Sequence, residues 1–298
     1  MIIAIIIVNY NGNDDTFDCL HSIEKYLLSS KSHQYEIYLV DNGSESPIME
    51  EKLLGFKMNI HYLRSIQNLG FTGGNNYALK LINNGNEKYN YILLLNNDTV
   101  LVDDSIDRLV DVIKNDEADI CGLVNYYYDC PKQIWQAGSF VRPNRLYGKQ
   151  IRDFDTTSDN VIYVDAIPGS SILIKNDIVM KIGLFDERFF AYYEEMDFCI
   201  RAKENGYRVA FLPNTKILHK VGRSSTSMLK HYLRTRNTFL FYSLHYKQYM
   251  ILAYFRALLR TIKCIVKSKD LKYISPFVKG IADYRHGFFH EGSMMNFK

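Results

Sequence analysis

Cysteine is scarce in this 298-residue chain and poorly placed for cross-linking. The five cysteines (Cys19, Cys121, Cys130, Cys199 and Cys264) are odd in number, scattered and without metal-ligand spacing. That pattern argues against a disulfide framework or a zinc site and for a reducing cytosol. Long apolar runs are missing as well. None approaches the roughly 18 residues a spanning helix needs, so the chain is expected not to cross a membrane. The amino terminus, MIIAIIIVNYNG, lacks a basic segment, and its apolar run stops at Asn9. It reads as a first strand rather than a signal peptide. No G-x-G-x-x-G follows that strand, which weighs against a dinucleotide cofactor. Neither a fixed-period repeat nor a low-complexity tract is present, which leaves a globular chain of one large or two modest domains.

Tyrosine, by contrast, is plentiful: 23 residues, which suits flat amphipathic contacts with sugars or partners. Charge is unevenly shared. From Leu229 to Lys298 there are 13 Lys/Arg and 3 Asp/Glu, so with a total of +3 the first 228 residues carry a net −7. A basic tail on an acidic body suits phosphates, an anionic membrane or plain solvent. Within it, Leu252, Phe255, Leu259, Ile262 and Val266 form an apolar stripe, and Arg256, Arg260, Lys263 and Lys267 a basic one. Such a helix fits a membrane surface or packing against the rest of the chain.

The apolar stretches Ile2–Val8, Glu36–Val40, Ile60–Leu63 and Tyr91–Leu95 read as strands, with helical patterns between them: Asp14/Asp15 to Leu28, a Pro47-led helix, and one after Asn76. A wholly apolar run with polar punctuation indicates a strand buried on both faces. The alternation predicts a mostly parallel sheet covered by helices. The turns Asn9-Tyr10-Asn11-Gly12, Asp41-Asn42-Gly43 and Asn96-Asn97-Asp98 then share one edge, where a nucleotide is expected. Asp98, flanked by amides, either holds a hard divalent cation against a phosphate or caps a helix begun by DTVLVDDSI. Asp41 either meets a ribose or base edge or is a turn residue beside Gly43. Between them, Gly70 and Gly73 permit close backbone approach to a ligand, and Asn68 and Asn75 offer donors and acceptors.

Beyond a last regular strand at Asp119–Val124 the pattern becomes irregular. Gln133–Val141 and Val161–Ile174 read as strands, the second interrupted by Pro168-Gly169-Ser170-Ser171. Trp135 is either core or a sugar-stacking face. The densest constellation is FDERFFAYYEEMDFCIR. Glu194, Glu195 and Asp197 open a helix that Gly206 ends, a placement the helix dipole also favours. Phe189, Phe190, Tyr192 and Tyr193 would desolvate these carboxylates, raising a pKa and producing a base. His219 ends the strand Lys216–His219, as a structural residue or a metal ligand.

Seven stretches in order (IIIVNYNG, LVDNGS, NLGFTGGNN, LLLNNDT, IPGSSILI, GLFDERFFAYYEEMDFCIRAKENGYR and ILHKVGRSS) resemble glycosyltransferase family 2, inverting enzymes of the GT-A fold. Within that family the chain is most similar to rhamnosyltransferase-like members that build bacterial surface polysaccharides. The resemblance implies an α/β nucleotide-diphospho-sugar transferase fold over 1–225 (nucleotide half 1–124, acceptor half 125–225) with a basic helical extension over 226–298. It implies that Asn9 and Asp41 bind base and ribose, with Tyr10, Asn11, Asn68, Gly70, Gly73, Asn75, Asn96 and Asn97 around the donor. Asp98, with His219, would hold Mg2+ or Mn2+ against the diphosphate. Asn96 replaces the first Asp of the family's D-x-D, which lowers the charge offered to the metal. Glu195 would be the base, with Glu194 and Asp197 as alternatives. Trp135, Gly169, Ser170 and Tyr193 would face the acceptor or sugar. Arg236, or Arg234 beside it, either reaches the diphosphate or faces solvent. The expected donor is dTDP-L-rhamnose or a UDP-hexose or UDP-N-acetylhexosamine, and the acceptor a glycan, free or polyprenyl-linked. The expected setting is the cytoplasm or the inner membrane face, with no nucleic-acid partner. A non-catalytic protein that keeps the fold for binding is the alternative of another class.

Overall fold

The computed structural model describes residues 1–28, 30, 32–85, 87–145, 149–221 and 227–289. The first half runs β1 (Ile2–Asn9), α1 (Asn13–Leu27), β2 (Gln34–Asn42), β3 (Asn59–Ser65), α2 (Gly70–Asn84), β4 (Tyr91–Asn96), β5 (Thr99–Leu101), α3 (Ser105–Lys114) and β6 (Ile120–Gly122). It continues with the short strands β7 (Asn125–Tyr127), β8 (Ile134–Gln136), β9 (Gly138–Phe140), β10 (Lys149–Ile151) and β11 (Ile162–Tyr163). Then come β12 (Ser171–Lys175), α4 (Asn176–Ile182), α5 (Glu194–Glu204), β13 (Val209–Phe211) and β14 (Ile217–His219). Three helices close the described chain: α6 (Ser227–His245), α7 (Met250–Ser268) and α8 (Ile274–His286).

Among the described residues the main sheet has eight strands in the order β11-β13-β6-β12-β4-β1-β2-β3. β3, β2, β1 and β4 are parallel, and Asn9 stands level with Asp41 while Val8 stands level with Asn96. The three polar turns therefore share one edge, as the buried strands require. The strands alternate faces with period 2. Ile3, Ile5 and Ile7 pack toward α1 and α3, whereas Ala4 and Ile6 pack toward α2 and α5. β12 runs antiparallel between β4 and β6, so strands from before and after Val124 share one sheet.

Several local expectations change. The stretch after Pro47 forms a single 3-10 segment, Glu50–Gly55, rather than an α-helix. Thr99–Leu101 pairs with β14 instead of opening a helix, so Asp98 caps nothing and α3 starts at Ser105. Gln133–Val141 divides into β8 and β9, which belong to different sheets. Val161–Ile174 supplies β11 and β12 with an irregular crossing between them. The boundary at 225/226, and the Gly222 and Ser224-Ser225 of ILHKVGRSS, lie outside the described residues.

α6 packs into the body: Phe239, Phe241 and Tyr242 share a core with Phe189 and Ile200. α7 buries the small residues Ala253, Ala257 and Thr261. Most of its apolar stripe faces outward: Phe255, Leu259, Ile262 and Val266 are exposed, Val266 at 70%, while Leu252 is half-buried. Among the described residues no helix is long and apolar enough to cross a membrane.

Candidate active site

The loops at the shared edge are built by their own polar side chains. Asn9 is fully buried, donates to Asn13 Oδ1 (2.8 Å) and accepts from the Gly12 N–H (3.0 Å) and the Thr16 hydroxyl (3.1 Å). The Asp41 carboxylate accepts from the Ser44 and Ile48 N–H groups (3.0 and 3.1 Å) and the Tyr62 hydroxyl (3.2 Å). Asn11 ties the two loops through Ser44 and Glu45. These three residues brace the edge and are not among the residues lining the trough and the cavity described below. Gly73 and Asn75 likewise lie buried in the start of α2, where Asn75 donates to the Phe71 carbonyl (2.8 Å).

What lines the edge is a trough of about 160 Å³ bounded by Tyr10, Asn42, Asn68, Gly70, Asn96 and Asn97. Asn42 is the residue missed. It follows Asp41 in a strand, so it projects to the other face. Gly70 is required here: its φ is +73°, and a Cβ would meet the Phe190 carbonyl oxygen at 2.5 Å. The glycine lets the start of α2 close on the segment before α5, where the Thr72 N–H donates to that same carbonyl (3.1 Å).

The trough opens into a cavity of about 500 Å³ that also has Phe71, Asn96, Asp98 and Tyr192 on its wall. On one side stand Asp98 and His219, their Oδ1 and Nε2 atoms 3.0 Å apart. Trp135 lines the cavity and sets its ring against His219, centroids 4.4 Å apart, so it is not a core tryptophan. Asn96 Oδ1 and His219 Nδ1 are buried without hydrogen-bond partners, and the buried Asp98 Oδ1 meets the His219 ring nitrogen. Buried polar atoms are nearly always partnered, so such orphans mark a place for something else. Among the described residues no three His, Cys, Asp or Glu gather as a metal cluster. A carboxylate, an imidazole and an amide oxygen nevertheless fit a hard cation that takes its remaining ligands from phosphate and water.

Glu194 and Glu195 line the same cavity, with Gly169 and Ser170 beside them. Ser170 is held by its hydroxyl on Asn125 Oδ1 (2.6 Å) and by its carbonyl on the Asn96 N–H (3.0 Å). The Oε2 atoms of both glutamates are buried without partners. Burial, and then the neighbouring Glu195 charge, push the Glu194 carboxyl well above its usual range. Burial also raises Glu195, but helix-start N–H groups and the Arg234 guanidinium oppose the rise. Asp197 is not among the residues lining this cavity. It is buried with its oxygens engaged by Arg201 Nε and His245 Nε2, 2.8 Å each.

The segment that presents the two glutamates is strained. Phe190, Tyr192 and Tyr193 all have positive φ (63°, 72° and 80°), a region bulky residues avoid. α6 holds it there. Asn237 Nδ2 donates to the carbonyls of Phe189, Ala191 and Tyr192 at 2.8 Å each. Arg236 donates to those of Arg188 and Phe189 at 3.0 and 2.9 Å. Arg236 therefore neither reaches the cavity nor faces solvent; it is wholly buried. Tyr193, expected at the acceptor, turns its hydroxyl to Thr238 (2.9 Å) and lines a separate cavity.

Transfer of a glycosyl group from a nucleoside diphosphate can use a cation on one side of a gap and a carboxylate on the other, and this cavity has side chains of both kinds on its wall. Fold and site together class the protein as a nucleotide-sugar-dependent glycosyltransferase. Comparison with known proteins narrows the class. The model of glycosyl transferase family 2 matches residues 4–170, and that of glycosyl transferase family group 2 matches residues 91–274. The chain belongs to glycosyltransferase family 2. It is 28% identical over 252 residues to the low-salt glycan biosynthesis hexosyltransferase Agl10 of Haloferax volcanii, covering 80% of this chain and 74% of that protein. It is 22% identical over 247 residues to the dTDP-rhamnosyl transferase RfbF of Shigella flexneri, covering 79% and 78%. Among solved structures, S. aureus TarS 1-349 in complex with UDP-GlcNAc shares the fold at TM-score 0.54 and 15% identity, over 96% of this chain and 92% of that one. GalNAc-T7 with UDP, GalNAc and Mn2+ does so at TM-score 0.58 and 14% identity, over 80% of this chain; the match spans about half, 51%, of that one. The fold is thus the GT-A type, with a C-terminal helical region added.

Proposed function

We propose that the protein is an inverting transferase that moves L-rhamnose from dTDP-L-rhamnose to a hydroxyl of a lipid-linked glycan in surface-polysaccharide synthesis. The observation that carries the transferase reading is one cavity walled by Asp98 and His219 and by Glu194 and Glu195. Similarity to RfbF supports the donor. In this reading the trough of Tyr10, Asn42, Asn68 and Asn97 receives the nucleotide. Glu195 takes the proton from the acceptor hydroxyl as that oxygen attacks the anomeric carbon from the face opposite the leaving group. The inverting-glycosidase base works in the same way, with a sugar hydroxyl in place of water. Two carboxyls with pKa values pushed apart have separable roles. The more buried Glu194 keeps its proton, while Glu195, nearer Arg234, is the one that ionises and can accept one. Asp98, His219 and Asn96 would hold Mg2+ or Mn2+, which when bound offsets the charge gathering on the departing diphosphate.

A melting-temperature panel with Mn2+ tests the donor. A larger rise with dTDP than with UDP is expected, and the reverse would move the reading to a UDP-sugar donor, the nucleotide type in the TarS and GalNAc-T7 structures. Asp98→Ala should weaken Mn2+-dependent donor binding by about tenfold or more, the order expected for losing a charged ligand. Equal affinity in both proteins would place the cation elsewhere.

The outward apolar ridge of α7, with Lys263 and Lys267 among it, supports work at an anionic membrane face. Sedimentation with phosphatidylglycerol vesicles at low salt, weakening as salt rises, is the expected result. Indifference to such vesicles would remove the membrane from the reading.

A further inference from the structure

A second cavity, of about 720 Å³, lies between the β9–β10 hairpin and helices α6 and α7. Its wall carries Arg142, Arg152, Arg234, Arg256 and Lys263 and no Asp or Glu. Among the described residues none of these five forms an ion pair. Elsewhere Arg108, Arg188, Arg201, Arg208, Lys175 and Lys203 all pair with carboxylates. Unpaired cations gathered in one concavity repel each other and concentrate a positive potential, which attracts a multiply charged anion.

The arrangement is also preset. Arg256 donates to the carbonyls of Arg142 and Arg145, lies over the Tyr242 ring (5.3 Å to its centroid) and keeps a buried Nε without a partner. Guanidinium forks match phosphate oxygens better than any other side chain. Burial alone would raise the Tyr193 phenol on this wall, yet Arg260 and Arg234 outweigh it and hold the phenol below its usual range.

The cavity also adjoins the base. Tyr193 and Met196 on its wall flank Glu194-Glu195 in sequence, and Arg234, also on the wall, is the cation whose charge acts on Glu195. On its far side Arg256 and Lys263 sit on α7 among the outward-facing Phe255, Leu259 and Ile262. Resting on the transferase reading, we infer that this cavity receives the diphosphate or phosphate through which the acceptor sugar is joined to its lipid. The acceptor hydroxyl then lies toward Glu195 and the lipid along the α7 ridge.

Titration of the full chain with inorganic pyrophosphate in EDTA tests this, since EDTA removes any cation from the donor side. Arg152→Gln/Lys263→Gln should weaken pyrophosphate binding at least tenfold. Arg152→Lys/Lys263→Arg, which keeps both charges, should restore it, and Asp98→Ala should leave it unaltered. Equal binding by the charge-removed variant, or loss with Asp98→Ala, overturns the inference. So does loss of phosphatidylglycerol-vesicle binding with pyrophosphate binding intact, which would assign the cations to bilayer headgroups. Wild-type hydrolysis of dTDP-rhamnose and of UDP-hexoses with Mn2+ is read in parallel. If neither is hydrolysed, the transferase reading fails; if either is hydrolysed and pyrophosphate binding is insensitive, only the second cavity's role fails.

Discussion

Glu195→Gln should lower transfer by roughly 10²–10⁴-fold, the range that a positioned general base contributes, while donor affinity stays within about twofold. The amide keeps the size of the side chain and its place beside Gly169, where an added Cβ would lie 3.5 Å from the Glu195 Cβ, but cannot accept the proton. Steady-state turnover set against donor titration separates the two effects. Near-normal turnover would move the base to Glu194, since Asp197 is engaged by Arg201 and His245. The pH profile gives a second readout. Because burial raises the Glu195 carboxyl above its usual value of 4.5, the rate should climb with pH through a limb displaced above that value. Glu194→Gln should cost far less turnover and should change stability instead. The Glu194 pKa is raised in the folded chain, so above 4.5 the folded state holds a proton that the unfolded state has released. Folding stability then falls as pH rises from 4.5 toward the folded pKa. Glu194→Gln removes that dependence, so its melting temperature relative to wild type should be higher at pH 8 than at pH 5. No difference between the two pH values would mean that Glu194 ionises freely.

The parts of this site that could be read in the sequence are those fixed by burial on both faces of a strand. Ile3–Ile7 and Ile92–Leu95 are almost wholly buried, and an apolar run of that kind has few other uses, so the edge at which Asn9, Asp41 and Asn96 end follows. What local pattern does not contain is which neighbour each polar side chain meets. Asp41 and Asn42 are both plausible ligands by type. The backbone of Ser44 and Ile48 claims the first, and alternation along β2 leaves the second at the trough. The insertion of β12 between β4 and β6 depends on sheet order, which no periodicity records. The α7 stripe shows the same limit from the other side. Spacing reveals an apolar face, but the body packs on Ala253, Ala257 and Thr261, because small residues let two helices approach closely, and the larger face is left outward.

The pair Arg236-Asn237 was legible as a motif and not as a clamp, because its partners lie 45–48 residues earlier in the chain. Asn237→Ala should therefore be among the most damaging single changes outside the cavity. It removes a donor from the carbonyls of Phe189, Ala191 and Tyr192, of which that of Phe189 keeps Arg236 and the Ala191 N–H. A carbonyl that loses its last partner while buried costs about 1–3 kcal/mol. The left-handed backbones of Phe190, Tyr192 and Tyr193, each worth roughly 1–3 kcal/mol of strain, lose what holds them. Partial relaxation limits the sum, so a loss of about 3 kcal/mol is expected, with a melting temperature lower by roughly 6–12 °C. Asn237→Asp is the sharper variant, since it keeps the shape but aims an acceptor at three acceptors, and it should be at least as destabilising. If Asn237 acts only on stability, the folded fraction of Asn237→Ala well below its melting temperature will turn over like wild type with the same pH limb. If it positions the acidic turn, kcat will fall and the limb will shift toward the ordinary carboxylate range as Glu195 moves into water, with donor affinity unchanged. The second outcome is expected. The strained segment is continuous with Glu194, and a relaxed backbone there cannot keep both glutamates on the wall they share with Asp98.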